Sequence, residues 1–147
     1  MKMLKKKLLP LALIYTGGEA IEGRTRLQKM IFLAQQDMED SVETYDYEPY
    51  DYGPFSKELY DDIDDLVDEG IIKEQKEKLD DGRIKYFYEM SEEGQEIIES
   101  KMDNNKDFHD LKEKMEDIKS TYNKKNLRDL LNEVYSRYPK YAEESVF

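Results

Sequence analysis

Apolar residues recur along this chain with two different periods. Leu4, Leu8, Leu11 and Tyr15 step by four, three and four, which predicts a first helix over about 3–16. Pro10 kinks that helix or opens its regular part, and Gly17-Gly18 ends it. Leu27, Met30, Ile31 and Ala34 form a second helical stripe over about 25–38, and Thr25 followed by Gln28 has capping-box spacing. Residues 43–52 alternate instead, with Tyr45 and Tyr47 to one side and Asp46 and Glu48 to the other. That is a half-buried strand, kept short or at an edge by Pro49, which cannot donate to a ladder. Phe55, Leu59, Ile63, Leu66 and Val67 then predict a third helix over about 55–69, closed by Gly70.

The stretch "IIKEQKEKLDDGRIKYFYEM" reads as two strands around a tight Asp-Gly turn, with Ile84, Tyr86, Tyr88 and Met90 sharing a face. Ser91 with Glu92 and Glu93 starts a fourth helix, a serine cap with carboxylates near the positive end of the dipole. Phe108, Leu111, Met115, Ile118 and Tyr122 step three, four, three, four, the spacing of a coiled-coil seam. Two heptads leave open whether this seam packs on its own chain or on a second copy. Asn126 caps a last helix through Leu127, Leu130, Leu131 and Val134, stopped by Pro139. The expected fold class is α+β, mainly α, a winged helix-turn-helix core over residues 1–104 with a C-terminal helical extension over 105–147. In that arrangement the third helix is the recognition helix and Asp80 to Arg83 is the tip of the wing.

Charge changes this picture. The net charge is −12 over 147 residues, and it is unevenly placed. Residues 1–40 carry seven basic against five acidic groups, whereas residues 41–70 carry one basic against eleven acidic. The third helix has Lys57 alone against Glu58, Asp61, Asp62, Asp64, Asp65, Asp68 and Glu69. DNA affinity rests on cations that neutralise phosphates, so that helix is not an ordinary reading head.

Composition also excludes chemistry. There is no cysteine, so thiolate metal sites and disulfides are out, and His109 is the only histidine, expected at the surface. No serine sits in a nucleophile elbow, and the chain reads as no enzyme, with no cofactor and no metal. Carboxylate pairs Asp61/Asp65 or Asp64/Asp68 offer too few oxygens for calcium. The basic start and apolar run outline a signal peptide, but eight apolar residues from Leu8 to Tyr15 without an exit site fit a core helix better. No stretch approaches the ~18 apolar residues of a membrane span, so a cytoplasmic protein is expected.

Several segments carry a family likeness. "GRTRLQKMIFLAQ" and "YDYEPYDYGPFSKELYDDIDDLVDEGII" resemble the YwgA-like family of small bacterial and archaeal proteins, as does the closing "VYSRYPKYAEES". More remotely the chain looks like the Panacea (SocA-like antitoxin) domain, which shares the Leu-Gln-Lys helix start, the Tyr-Gly-Pro turn and a Glu-Leu-Tyr helix. "YEMSEEGQEII" is similar to the exit from the wing of many winged-helix regulators. The resemblance implies a winged-helix-like fold and little about activity. Its remoter branch implies toxin neutralisation or an adaptor role by protein contact.

Two candidate surfaces follow. Arg24 and Arg26 flank the start of the second helix, where its dipole disfavours cations, so an anion is expected beside them. That anion is either an internal carboxylate, Glu48 or Asp51, or a phosphate bound jointly by Lys29 and the Lys5-Lys6-Lys7 cluster. Arg83 and Lys85 would add the wing to a DNA-binding surface, with Arg83 suited to a minor groove. The second surface is a docking face for a protein, made of Tyr45, Tyr47, Tyr50, Tyr52, Asp61, Asp62 and Asp65. Two of the four tyrosines are expected to be buried. The expectation is a non-catalytic winged-helix regulator binding double-stranded DNA. The alternative is an antitoxin-like or adaptor module that engages a basic protein partner, or an acidic face that imitates DNA. A homodimer through residues 105–138 is the third partner left open.

Overall fold

The computed structural model describes residues 4–38, 42–102 and 105–145. Two helices lie at its centre, the first apolar along its whole length and the second buried from its fourth residue to its eleventh. Helix α1 (Leu8–Tyr15) buries Leu9 through Ile14 without a break. Pro10 is tolerated at its third position, where the missing N–H has no intrahelical acceptor. The expected start at residue 3 lies outside the described residues. Helix α2 (Arg24–Gln35) buries Leu27 through Ala34, and Gly23 stands before it at φ 84°. The expected capping box does not form: Thr25 is already inside the first turn, and Gln28 points into the core.

Between them, strand β1 (Ile21–Glu22) lays Ile21 opposite Tyr88. Two residues carry no periodicity, so the sequence gives no sign of it. The alternating stretch after α2 contracts to a small hairpin, strand β2 (Glu48–Tyr50) paired with strand β3 (Gly53–Phe55). Its in-and-out order nonetheless holds, with Tyr45 buried and Asp46 and Glu48 exposed. Helix α3 (Lys57–Asp68) starts on Ser56, whose hydroxyl accepts the Leu59 N–H at 3.2 Å, and turns Leu59, Ile63 and Leu66 inward.

Strands β4 (Ile72–Lys78) and β5 (Ile84–Met90) pair from Ile72↔Met90 to Lys78↔Ile84, giving the antiparallel order β1-β5-β4. The connection is a three-residue loop rather than a two-residue turn. Leu79 N–H donates to the Arg83 carbonyl at 2.8 Å, and Gly82 takes the left-handed position at φ 90°. Helix α4 (Glu92–Met102) starts on Ser91, whose hydroxyl accepts the Gly94 N–H at 2.9 Å.

Helix α5 (Lys106–Tyr122) follows an Asn105 cap and helix α6 (Leu127–Arg137) an Asn126 cap, before a 3₁₀ turn over Pro139–Ala142. The expected seam on α5 is spent inside the chain, against α1, α2 and α4. Its fourth buried position is Lys119, and Ile118 is only partly buried. Phe108, Met115, Leu130 and Val134 share one core with Leu9, Phe32 and Ile63. The extension therefore completes the core of residues 1–104; the expected boundary itself, at residue 104, lies outside the described residues. The fold is mixed α+β and mainly helical, and no helix among the described residues is long and apolar enough to cross a membrane.

Gly94 is where the sheet and α4 meet most closely. A Cβ there would lie far inside van der Waals contact distance of the Ile71 carbonyl oxygen and crowd the Met90 methyl at 2.9 Å. Gly94→Ala is expected to cost about 1–3 kcal/mol through this overlap, although alanine favours helix in general. Urea unfolding checks it, with exposed Ser100→Ala as the reference that leaves stability unchanged.

Candidate functional site

Arg24, Arg26 and Lys29, which the sequence offered to a phosphate, are turned to acceptors within the fold. Arg24 opens α2 beside the sheet. Its Nε donates to the Tyr88 hydroxyl at 2.7 Å, and one terminal nitrogen donates to Asp64 at 2.6 Å and Glu74 at 3.0 Å. Tyr88 in turn donates to Glu74 at 2.7 Å, so strand β4, strand β5 and helix α3 close around one guanidinium. Burial opposes the charge on Arg24, but Asp64, Tyr88 and Glu74 outweigh it and raise its pKa above the ordinary guanidinium value. Burial also works against the Glu74 carboxylate, yet Tyr88 and Arg24 hold it below the usual range. The internal carboxylates are thus Asp64 and Glu74, not Glu48 or Asp51.

Arg26 donates to the carbonyls of Tyr122, at 3.2 Å, and Lys125, which leaves its charge on the C-terminal end of α5. Cations are favoured there by the exposed carbonyls and the dipole. Lys119, a residue the sequence reading passed over, does the same for α1. Its Nζ donates to the carbonyls of Ile14 at 3.0 Å and Thr16 at 2.6 Å. The available signal was a lysine on an apolar stripe, one position past Ile118.

Lys29 is 2% exposed and donates to the Pro54 carbonyl at 2.8 Å and to Gln28 Oε1 at 3.4 Å. Gln28, also fully buried, donates to the Ser56 carbonyl at 3.1 Å. Two adjacent side chains of α2 thereby grip the segment that carries β3 into α3, so the Leu-Gln-Lys and Tyr-Gly-Pro segments touch. Gly53 completes the contact: at φ 89°, a Cβ there would lie 3.1 Å from the Tyr135 ring of α6.

The wing residues stay outside. Arg83 pairs with Asp81 at 2.6 Å and Lys85 with Glu22 at 3.1 Å, all of them well exposed. Arg24, Arg26 and Lys29 therefore do not join Arg83 and Lys85 in one positive surface.

The acidic face assembles differently from its parts. Tyr45 is 2% exposed and its hydroxyl donates to Asp62 at 2.7 Å. The Tyr47 ring meets Phe32 edge-on at 5.1 Å, and burial pushes its phenol well above the ordinary value. Tyr50 and Tyr52 stand out at the turn between β2 and β3, 52% and 46% exposed, beside Glu48 and Asp51. From Tyr50 an aromatic line continues to Phe55 at 4.9 Å and Tyr60 at 5.1 Å, where Arg24 lies 5.5 Å over the ring. Asp46, Glu48, Phe55 and Glu58 line a shallow recess between this hairpin and α3.

Along α3 the acids meet neighbours one by one: Glu58 pairs with Lys6, Asp61 with Lys57 and Asp65 with Lys7. Among the described residues no three acids or histidines gather as a metal site. His109 is exposed on α5.

Among the described residues Lys29 has no carboxylate partner, and burial pushes its pKa from 10.5 down to about 7. Between those values the unfolded chain holds a proton that the folded chain lacks, so stability is expected to rise with pH from about 7 to 10.5. Lys29→Met is expected to flatten that rise. Urea unfolding of both proteins at pH 7, 8 and 9 decides it; parallel profiles would assign the pH dependence to other groups.

No family model matches the chain, and no solved structure matches it. Over 97 residues, 66% of this chain, it is 36% identical to the uncharacterized protein YwgA of Bacillus subtilis (strain 168). The matched region spans 56% of that relative's length. The likeness supports a YwgA-like kinship.

Proposed function

We propose that this chain is a non-catalytic regulatory protein that works by protein contact, presenting an acidic, tyrosine-tipped face to a basic partner from a winged-helix-like scaffold. The order helix, strand, helix, small hairpin, helix, strand, strand, with sheet order β1-β5-β4, supports the scaffold. In it α3 occupies the recognition-helix position and the loop Asp80–Gly82 the wing tip.

One observation carries the choice of partner. Arg24, Arg26 and Lys29 are spent on acceptors of the same fold, while Tyr50, Tyr52, Asp51 and Glu48 stand exposed, and Glu48 shares a recess with Glu58 of α3. Phosphate binding needs cations free to release counterions, and these three are not. Aromatic side chains that combine apolar area with a polar tip are the usual anchors of protein interfaces. Surrounding carboxylates select a partner of opposite sign and speed its approach. An extended acidic face of this kind also suits imitation of a nucleic acid. A second reading, DNA binding, keeps support from the scaffold and from exposed Lys5, Arg83 and Lys85.

The two separate in one titration series. A labelled random duplex and a labelled lysine-rich peptide are each titrated at ~50 mM and ~200 mM salt. The expected outcome is no duplex binding, with peptide binding that weakens at higher salt and falls at least about tenfold in Tyr50→Ala/Tyr52→Ala. Duplex affinity falling steeply with salt, without peptide binding, would reverse the assignment.

A further inference from the structure

The acidic face already holds two basic side chains of its own chain. Leu4 bridges to Val42 in parallel, and its carbonyl accepts the Glu43 N–H at 2.8 Å. From this anchor Lys6 reaches Glu58 at 2.7 Å, with its Nζ 5.8 Å from the centroid of the Tyr45 ring. Glu43 and Asp62 add attraction behind the bond to Glu58, and together they raise the Lys6 pKa. Lys7 lies 3.6 Å from Asp65 and 3.9 Å from Glu69, two turns further along α3. Carboxylates with a tyrosine ring beneath are what an incoming lysine or arginine would use.

We propose that the segment Leu4–Lys7 is an internal occupant of this face, and that a basic partner segment docks by displacing Lys6 and Lys7 from Glu58, Asp65 and Glu69. The inference rests on the protein-contact reading above and adds how that contact is held back. The contacts suit exchange. Lys6 and Lys7 side chains are 31% and 35% exposed and their acidic partners 53–58%, so water screens each pair. The backbone anchor at Leu4 keeps the lysines near the face after release, so they compete as a tethered ligand. The partner chemistry follows from what it replaces: at least two closely spaced lysines or arginines.

The test uses the lysine-rich peptide at ~50 mM salt on the full chain. Lys6→Gln/Lys7→Gln is expected to bind it about 3–10-fold more tightly than the unaltered protein, through the loss of two weakly competing lysines. Lys101→Gln/Lys106→Gln, on α4 and α5, removes the same charge from exposed positions and is expected to bind as the unaltered protein does. Thermal unfolding of each variant verifies that it is folded, and Lys6→Ser/Lys7→Ser gives a second form of the same change. Equal affinity of Lys6→Gln/Lys7→Gln and the unaltered protein overturns the self-occupancy and leaves the protein-contact reading standing. Equal tightening by both glutamine pairs overturns it in favour of bulk charge. Absence of peptide binding in every form overturns both.

Discussion

A lysine and a glutamine side by side on α2, both sealed from water, fix the rest of the molecule's outer edge. An ammonium buried without acceptors is costly enough that such groups shed their proton or find partners. Lys29 finds the Pro54 carbonyl, and Gln28 finds Ser56, so the backbone that must turn from β3 into α3 is held at two points two residues apart. The Pro54 carbonyl gains a donor near the core, and the Ser56 carbonyl, which also accepts the Tyr60 N–H at 3.4 Å, gains a second one. The position of the Tyr50–Tyr52 turn and the direction in which α3 leaves Ser56 both follow from this grip. Gly53 belongs to it because only a residue without Cβ lets the chain pass Tyr135 in that conformation.

The same economy governs the other interior cations. Arg26 covers the end of α5 and Lys119 the end of α1, each meeting carbonyls that a helix terminus leaves without partners. Arg24 ties α2 to α3 and the sheet through Asp64, Glu74 and Tyr88. Charge that looks segregated along the chain is therefore brought together in space. The basic first quarter folds onto the acidic second, leaving hairpin carboxylates and two tyrosines outermost. The acidity of α3 is an internal seam as much as an outer face, because Lys6, Lys7, Arg24 and Lys57 each take one or more of its acids.

Much of this was legible without coordinates. Helical stripes located α1, α2, α3, α5 and α6, because burying one face leaves a period that the sequence must show. Asn126 and Ser91 announced two helix starts through their hydrogen-bonding side chains. Strand β1 was silent, since two residues cannot establish a period, and its place beside Tyr88 depends on a partner 67 residues away. Thr25 and Gln28 misled, because capping-box spacing does not say which way a glutamine turns when a buried carbonyl competes for it. Tyr45 and Tyr47 were offered to a partner and lie inside, whereas Tyr50 and Tyr52, from the same run of rings, lie outside.

By itself the sequence determined the periodic elements, the excess of acid after residue 40 and the scarcity of catalytic side chains, since these depend only on residue type and spacing. Tertiary structure alone decided which charges face water. Arginine and lysine read the same along a chain whether their partner is a phosphate, a carboxylate or a helix end. The choice depends on which acceptors packing strips of water within reach, and for Arg24, Arg26, Lys29 and Lys119 those include residues 25 to 105 positions distant.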